Sequence, residues 1–579
     1  FAHAGLFFRE YFFVYSLVGY LPVLLFTLSR LLDDKSSLGR WIAVIACTAL
    51  ISQTAFASQL IPWPAATLFF WFAFVERRKS LLDWALIAGV ALAMMAGRWQ
   101  DVVALISYAP LSALADFRTT GSLGEEWAKA GILILRLAEG PHYLSLAFIA
   151  FGAISLTVVR SVSRWGLMLT FPALALAIFC ATTAKVLMVD HLPFLSALNA
   201  TRIAQGFHLF VTLAGGVGLQ VMAGAAFNPL RSGKAGKGAL MTGLVVALTV
   251  GTTVFGNLDA KFRAARDWIT WGNLRQTTEN PVLESLALRL RANPPPPRVL
   301  GFQMHGALLT AYGLETVAGY HPMMSRRYRD YWWEMTTPWH SHPEWAKTHG
   351  AGELGSLTTI LPATRDGAGD EAAARQARWD LEAFVNGDLL ALLNVGYVVS
   401  RDELSGAGLE KLEGPDRSWN SLTQKEKILT QLRANFSGEG PLFIYRLPAP
   451  LPRAFTVASL TVLADGAAVL AALGNADRAT LADTAYGETG QIPASLDGTT
   501  SFTQRPATVT RYEPDRIEVA LGPGTGPALL VVTNSFSPFW RAEVDGIEAP
   551  IFPVDHAFWG LALPDGTQKV VFSYHAPYR

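Results

Sequence analysis

Two groupings of side chains in this chain could do chemistry at a charged surface: carboxylates near arginines, and arginines beside aromatic rings. Between 98 and 142, Arg98, Asp101, Asp116 and Arg118 stand among two amphipathic runs that also carry Glu125, Glu126, Lys129 and Arg136. Between 189 and 202 the run Val189-Asp190-His191-Leu192-Pro193 leads to Arg202. A guanidinium can clamp a phosphate through two parallel N–H donors. A carboxylate at the same depth can take a proton from a hydroxyl or position a divalent metal. On this reading Arg98, Arg118, His191 and Arg202 are candidate substrate-binding residues, and Asp101, Asp116 and Asp190 are candidate bases. The same residues also fit helix capping and snorkelling toward lipid headgroups. Farther on, Arg326 and Arg327 precede Tyr328, Tyr331, Trp332 and Trp333. Such a cluster can stack on sugar rings and hold phosphates, or seat a domain on headgroups.

What surrounds these residues narrows the classes. The net charge of +1 gives no bulk attraction for nucleic acid. The soluble half has no Gly-x-Ser-x-Gly elbow, P-loop or dinucleotide fingerprint. Cys47 and Cys180 both lie in apolar stretches, where they read as small buried hydrophobes rather than a disulfide framework.

The elements that must position the candidates divide unevenly. Residues 1–258 alternate apolar runs with small basic clusters, whereas 259–579 have ordinary polarity. Apolar runs at 11–28, 41–59, 62–75, 81–97, 143–159, 166–188, 203–226 and 239–256 read as about eight membrane spans. Basic clusters at Arg30/Lys35/Arg40, Arg77/Arg78/Lys79, Arg160/Arg164 and Arg231/Lys234/Lys237 fall in alternate loops, which marks those loops as cytoplasmic. The 98–142 loop, the 189–202 loop and everything after 258 then lie outside a bacterial cytoplasmic membrane. The chain opens on Phe1 with no leader before its first apolar run, and reads as lacking an N-terminal segment.

The expected fold is therefore a polytopic α-helical membrane domain (1–258) followed by an extracytoplasmic mixed α/β domain (259–456) and a β-sandwich-like domain (457–579). Pro294 to Pro297 form a rigid connector into the strand-like Arg298-Val299-Leu300-Gly301-Phe302. Leu389 to Val399 reads as a short helix running into a buried strand. Arg516 to Leu521 and Trp540 to Val544 alternate with period two, and Asp545-Gly546 and Asp565-Gly566 are hairpin turn signals.

The segment Leu530 to Gly546, with its Ser535-Phe536-Ser537-Pro538-Phe539-Trp540 centre, resembles a hairpin of YfhO-like bacterial membrane proteins. Its continuation through Ala557-Phe558-Trp559 and Val570 to Tyr574 fits as well. Asn394 to Val399 is similar to that family's "Asn-Val-x-Tyr-Val" strand, and Leu451-Pro452-Arg453-Ala454 to its "Leu-Pro-Arg-Ala" element. Phe536 and Phe539 depart from the family's tyrosine and glycine. The resemblance implies a GT-C type glycosyltransferase. Such an enzyme transfers a sugar from a polyprenyl-phosphate carrier to an envelope polysaccharide or glycolipid, outside the membrane. It also implies a catalytic carboxylate in a first external loop that this chain does not contain. A non-catalytic scaffold or glycan-binding accessory subunit is the alternative.

Overall fold

The computed structural model describes residues 24–33, 38–52, 68–112, 122–138, much of 175–188, and 279–578, less some short stretches of which the longest are 342–356 and 359–377.

The expected polytopic helical domain of eight spans is not the architecture found. Among the described residues no single helix is long and apolar enough to cross a membrane. Helix α1 (Leu38–Ser52) has 15 residues and α2 (Leu81–Ala96) has 16. At 1.5 Å per residue they reach about 22–24 Å, against a hydrocarbon core of about 30 Å. Only α2 taken with α3 (Trp99–Tyr108) has the length and composition, and that pair is bent by 72° at its break. The 62–75 run closes in a five-residue π-helical turn, Trp71–Val75, that meets Glu76. An apolar run records side chains that need cover, and here short helices packed on one another supply it. The runs 143–159, 203–226 and 239–256 lie outside the described residues, and 11–28 and 166–188 are described in part. Cys180 is exposed, contrary to its expected burial.

The helices that are described make a small core of their own, with Trp41, Val44, Phe72, Ile87, Val90 and Met94 buried together. An amphipathic helix, α4 (Leu123–Ala138), carries Glu125 and Glu126 in its first turn, where a carboxylate suits the helix dipole.

The remainder is dominated by β-sheet. Asn280 caps α5 (Pro281–Arg291) by accepting from the amides of Val282 and Leu283, with a proline in the first turn. Strand β1 (Arg298–Phe302) follows, then β2 (Gly319–Tyr320), α6 (Arg326–Met335), β3 (Leu357–Thr358) and β4 (Arg378–Asp380). Next come α7 (Gly387–Leu392), β5 (Val395–Ser400), β6 (Glu403–Ser405), β7 (Glu410–Glu413), α8 (Gln424–Ser437) and β8 (Phe443–Arg446). The strands β1-β5-β8-β7 form a four-stranded sheet, parallel only between β1 and β5. Its one face packs Val299, Val399 and Ile444 on Leu283, Leu286 and Leu290 of α5. Its other face packs Leu300, Phe302 and Val398 with Tyr331, Trp332 and Met335 of α6.

The chain then crosses into β9 (Ala454–Val457), β10 (Ser459–Leu463), α9 (Gly466–Asn475), α10 (Arg478–Asp483) and β11 (Thr484–Glu488). The eight strands that follow are β12 (Ala507–Glu513), β13 (Arg516–Leu521), β14 (Ala528–Val532), β15 (Trp540–Val544), β16 (Ile547–Ala549), β17 (Phe552–Val554), β18 (Phe558–Leu563) and β19 (Lys569–Tyr574). They close a six-stranded sheet, β10-β11-β17-β18-β14-β9, and a five-stranded sheet, β12-β13-β19-β15-β16. β14 shows why its sequence is uninterruptedly apolar. Leu529 and Val531 enter the core shared with the four-stranded sheet, while Ala528, Leu530 and Val532 enter the core between the two large sheets. Asp545 (φ 49) and Gly546 (φ 87) make the β15–β16 turn. Both central residues at positive φ are what a type I′ hairpin requires.

Candidate functional site

The sequence candidates are placed as follows. Arg98 and Asp101 stand together where α2 breaks into α3, 3.0 Å apart as an i,i+3 ion pair. Asp116, Arg118, Asp190, His191 and Arg202 lie outside the described residues. Arg327, in the first turn of α6, forms a two-pronged ion pair with Glu488 of β11 and also donates to the His556 carbonyl at 3.0 Å. Both terminal nitrogens are engaged within the protein, so a phosphate clamped between them would have to displace a carboxylate. Arg326 is its half-buried neighbour on α6. The structure does not bring Arg98 and Asp101 together with this arginine pair: α3 meets the β-sheets through Trp99 on Tyr578 and Tyr108 on Phe539. The nearest tie to the pair is the bridge from Ser112 to Ser325.

A more elaborate polar centre sits where the four-stranded sheet meets the two larger ones. Asn394 ends the turn between α7 and β5 with φ 60, a left-handed conformation that asparagine tolerates. Its Nδ2 donates to the Leu451 carbonyl at 2.7 Å, and its Oδ1 accepts from Arg453 Nε at 3.3 Å. Arg453 also donates to Glu315, to the Tyr512 hydroxyl and to the Pro296 carbonyl. Arg298, the first residue of β1, donates to Glu315 Oε1 at 2.8 Å, to the Leu393 and Thr533 carbonyls, and to Asn534 Oδ1 at 2.8 Å. Both guanidiniums are buried, 8% and 3% exposed, and hydrogen bonds on every side offset their desolvation.

Glu315 is the hub. Its Oε1 accepts from Arg298, Arg453 and, at 3.1 Å, the Tyr512 hydroxyl. Burial alone would raise its carboxyl, but the charges of Arg298 and Arg453 outweigh burial and hold it down at about 2. It is therefore ionised at neutral pH and cannot serve there as a general acid. Glu315, Tyr512, Glu513, Ile517, Asn534 and Trp540 line a cleft of about 200 Å³ that opens beside this hub. The Trp540 ring is braced by Trp559 and Tyr574, with centroids 4.7 and 5.5 Å away. A larger cleft of about 430 Å³ lies beside Pro297, Pro448 and Pro450, but its two charged residues, Glu410 and Arg446, pair with each other.

A second buried cluster surrounds His556. Its Nδ1 lies 2.9 Å from Glu488 Oε1 and its Nε2 3.7 Å from Asp330. Asp555 (φ 47) and His556 (φ 63) both adopt left-handed conformations, and Asp555 accepts from the Tyr486 amide at 2.8 Å. Among the described residues no group of three or more His, Cys, Asp or Glu is placed to hold a metal ion.

Sequence reasoning singled out none of the cleft's residues as a site. Asn394, Arg453 and Trp540 were on view inside the family-like motifs, where the signal was a polar residue flanking an apolar strand. Glu315 and Tyr512 carry no motif, and only the strand crossing brings them to the arginines. The chain matches no protein-family model, no curated protein and no solved structure.

Proposed function

We propose that this chain recognises a cell-envelope glycan, at the outer face of a bacterial cytoplasmic membrane, as part of sugar transfer from a polyprenyl-phosphate carrier. The observation that carries the reading is the cleft: a braced indole, a tyrosine, a carboxylate and an amide around a space of about 200 Å³. Sugars present a C–H face that packs on an aromatic ring and a rim of hydroxyls that need fixed donors and acceptors. A second observation supports the link to envelope glycan chemistry. Three stretches that resemble YfhO-like proteins meet at this hub, Asn394 from one, Arg453 from another, Thr533 and Asn534 from the third, while a looser likeness at Leu192 to Arg202 lies outside the described residues.

The transfer step itself needs a base and a phosphate clamp. Arg98 and Asp101 are the described pair of suitable type, and Asp116, Asp190 and Arg202 are further candidates. A second reading, a purely glycan-binding accessory role, is favoured by the engagement of Arg327 and Glu315 in internal ion pairs. One experiment separates the two. The full chain in membranes is given a radiolabelled polyprenyl-phosphate sugar and a crude envelope acceptor fraction. Transfer that is lost in Asp101→Asn, Asp116→Asn or Asp190→Asn supports the enzyme. Retained binding of envelope glycan with no transfer from any donor supports the accessory role. Neither transfer nor glycan binding by the folded protein overturns both.

A further inference from the structure

The cleft's hydrogen-bonding inventory bears on which sugar it takes, an inference that rests on the glycan-binding reading above. All three hydrogen bonds that Glu315 accepts among the described residues end on Oε1. Its side chain is 29% exposed, so Oε2 is left for a donor from outside. Asn534 is the complement. Its Oδ1 is occupied by Arg298 Nη2 at 2.8 Å, which fixes the amide's orientation and leaves Nδ2 without an acceptor among the described residues. One acceptor and one donor, beside an indole face, match a sugar hydroxyl pair that donates once and accepts once.

The cations nearby do not face a ligand in the same way. Arg298 and Arg453 are buried behind Glu315 and spend their N–H groups on carbonyls, Glu315, Asn394 and Asn534. At the rim, Glu513 adds a second carboxylate and is 46% exposed, with Arg511 paired to it from the same strand at 2.7 Å. Where the 6-hydroxyl is one of that pair, the corresponding uronic acid puts a carboxylate in its place, which offers no proton to Glu315 Oε2 and sets a third carboxylate beside Glu315 and Glu513. A missing donor at a site built to receive one costs far more than a missing apolar contact.

We propose that the cleft selects an uncharged sugar ring, seated on Trp540 and held through a hydroxyl pair by Glu315 Oε2 and Asn534 Nδ2, and rejects the corresponding uronic acid. The test uses the full chain in detergent and saturation-transfer NMR with two probes, a neutral β-linked glucose tetramer and the matching glucuronic acid tetramer. The neutral probe is expected to bind at least tenfold more tightly. Glu513→Gln, a rim change that touches no core, should narrow the gap by threefold or more through the acidic probe alone. Trp540→Phe, which keeps a ring in place, should weaken the neutral probe about threefold to tenfold. Equal binding of both probes that still responds to Trp540→Phe overturns the selectivity and leaves glycan recognition standing. Binding of neither probe, or binding that ignores both variants, overturns the selectivity together with the cleft as a glycan site.

Discussion

At the scale of single residues, the energetics concentrate on buried charge. Glu315 neutralises one of two adjacent buried guanidiniums, and removing its charge strands both. Glu315→Gln is expected to destabilise the fold by about 3–5 kcal/mol, the cost of breaking a buried pair from one side. Glu513→Gln on the exposed rim should leave stability nearly unchanged. Urea denaturation of the two variants checks the contrast, and equal midpoints would refute the hub. Asp555 works in the opposite sense. Burial pushes its carboxyl up to about 7. A carboxyl raised above its unfolded value of about 3.9 contributes stability that is fully present below that value and is lost as pH rises through about 7. His556 is also raised: burial opposes its charge, but Asp330 and Glu488 outweigh it, so its contribution likewise fades with rising pH. Asp555→Asn keeps an acceptor for the Tyr486 amide and tolerates the left-handed backbone. It should stabilise the protein at pH 8, by at most about 4 kcal/mol for a carboxyl raised from about 4 to about 7, and by little at pH 4. An increment that is the same at both pH values would sink the assignment.

At the scale of elements, legibility followed from how much of an element's form its own residues dictate. The Asp545-Gly546 turn was readable because Asp-Gly is one of the few pairs that adopt two positive φ values cheaply. The strands at 516–521 and 540–544 were readable because each alternates. The helical part departs from expectation because an apolar run reports side chains that need cover, not one straight helix of spanning length: the described helices have 15 and 16 residues and cover one another. The cleft was illegible because Glu315, Tyr512 and Asn534 come from separate segments and meet only through long-range pairing. Helix α3 illustrates an element fixed by tertiary contact alone. It has ten residues, too few to persist in isolation, and its Tyr108 ring lies on Phe539 with its hydroxyl bonded to that of Tyr574. Tyr108→Ala should therefore release α3 while leaving the sheets intact. Hydrogen exchange would show amides of 99–108 losing protection by tenfold or more and those of β19 changing little. Unaltered protection across α3 would mean that other contacts hold it.

At the scale of the whole molecule, one apolar core runs from the four-stranded sheet through α6 into the six-stranded sheet, and a separate core fills the space between the two large sheets. The first joins the two halves of the β-rich part, so they are expected to unfold as one cooperative unit. The polar hub sits at the same seam, tying β1 to the loop after β14 through Arg298, Thr533 and Asn534, and the segment before β9 to Glu315 through Arg453. Its role in cooperativity can be separated from the role of the core. Arg298→Met keeps much of the side chain's volume but loses the hydrogen bonds that Arg298 makes, leaving the Thr533 and Leu393 carbonyls to find other partners. If the hub couples the halves, guanidinium unfolding of this variant should show two transitions when followed by Trp379, on the four-stranded side, and by Trp559, between the large sheets. If the apolar core alone couples them, the two probes will move together to a lower midpoint. The first outcome would also place the cleft on a joint, where a ligand at Asn534 and Glu315 would bear on both halves at once. The second would make it a surface feature of a single rigid body.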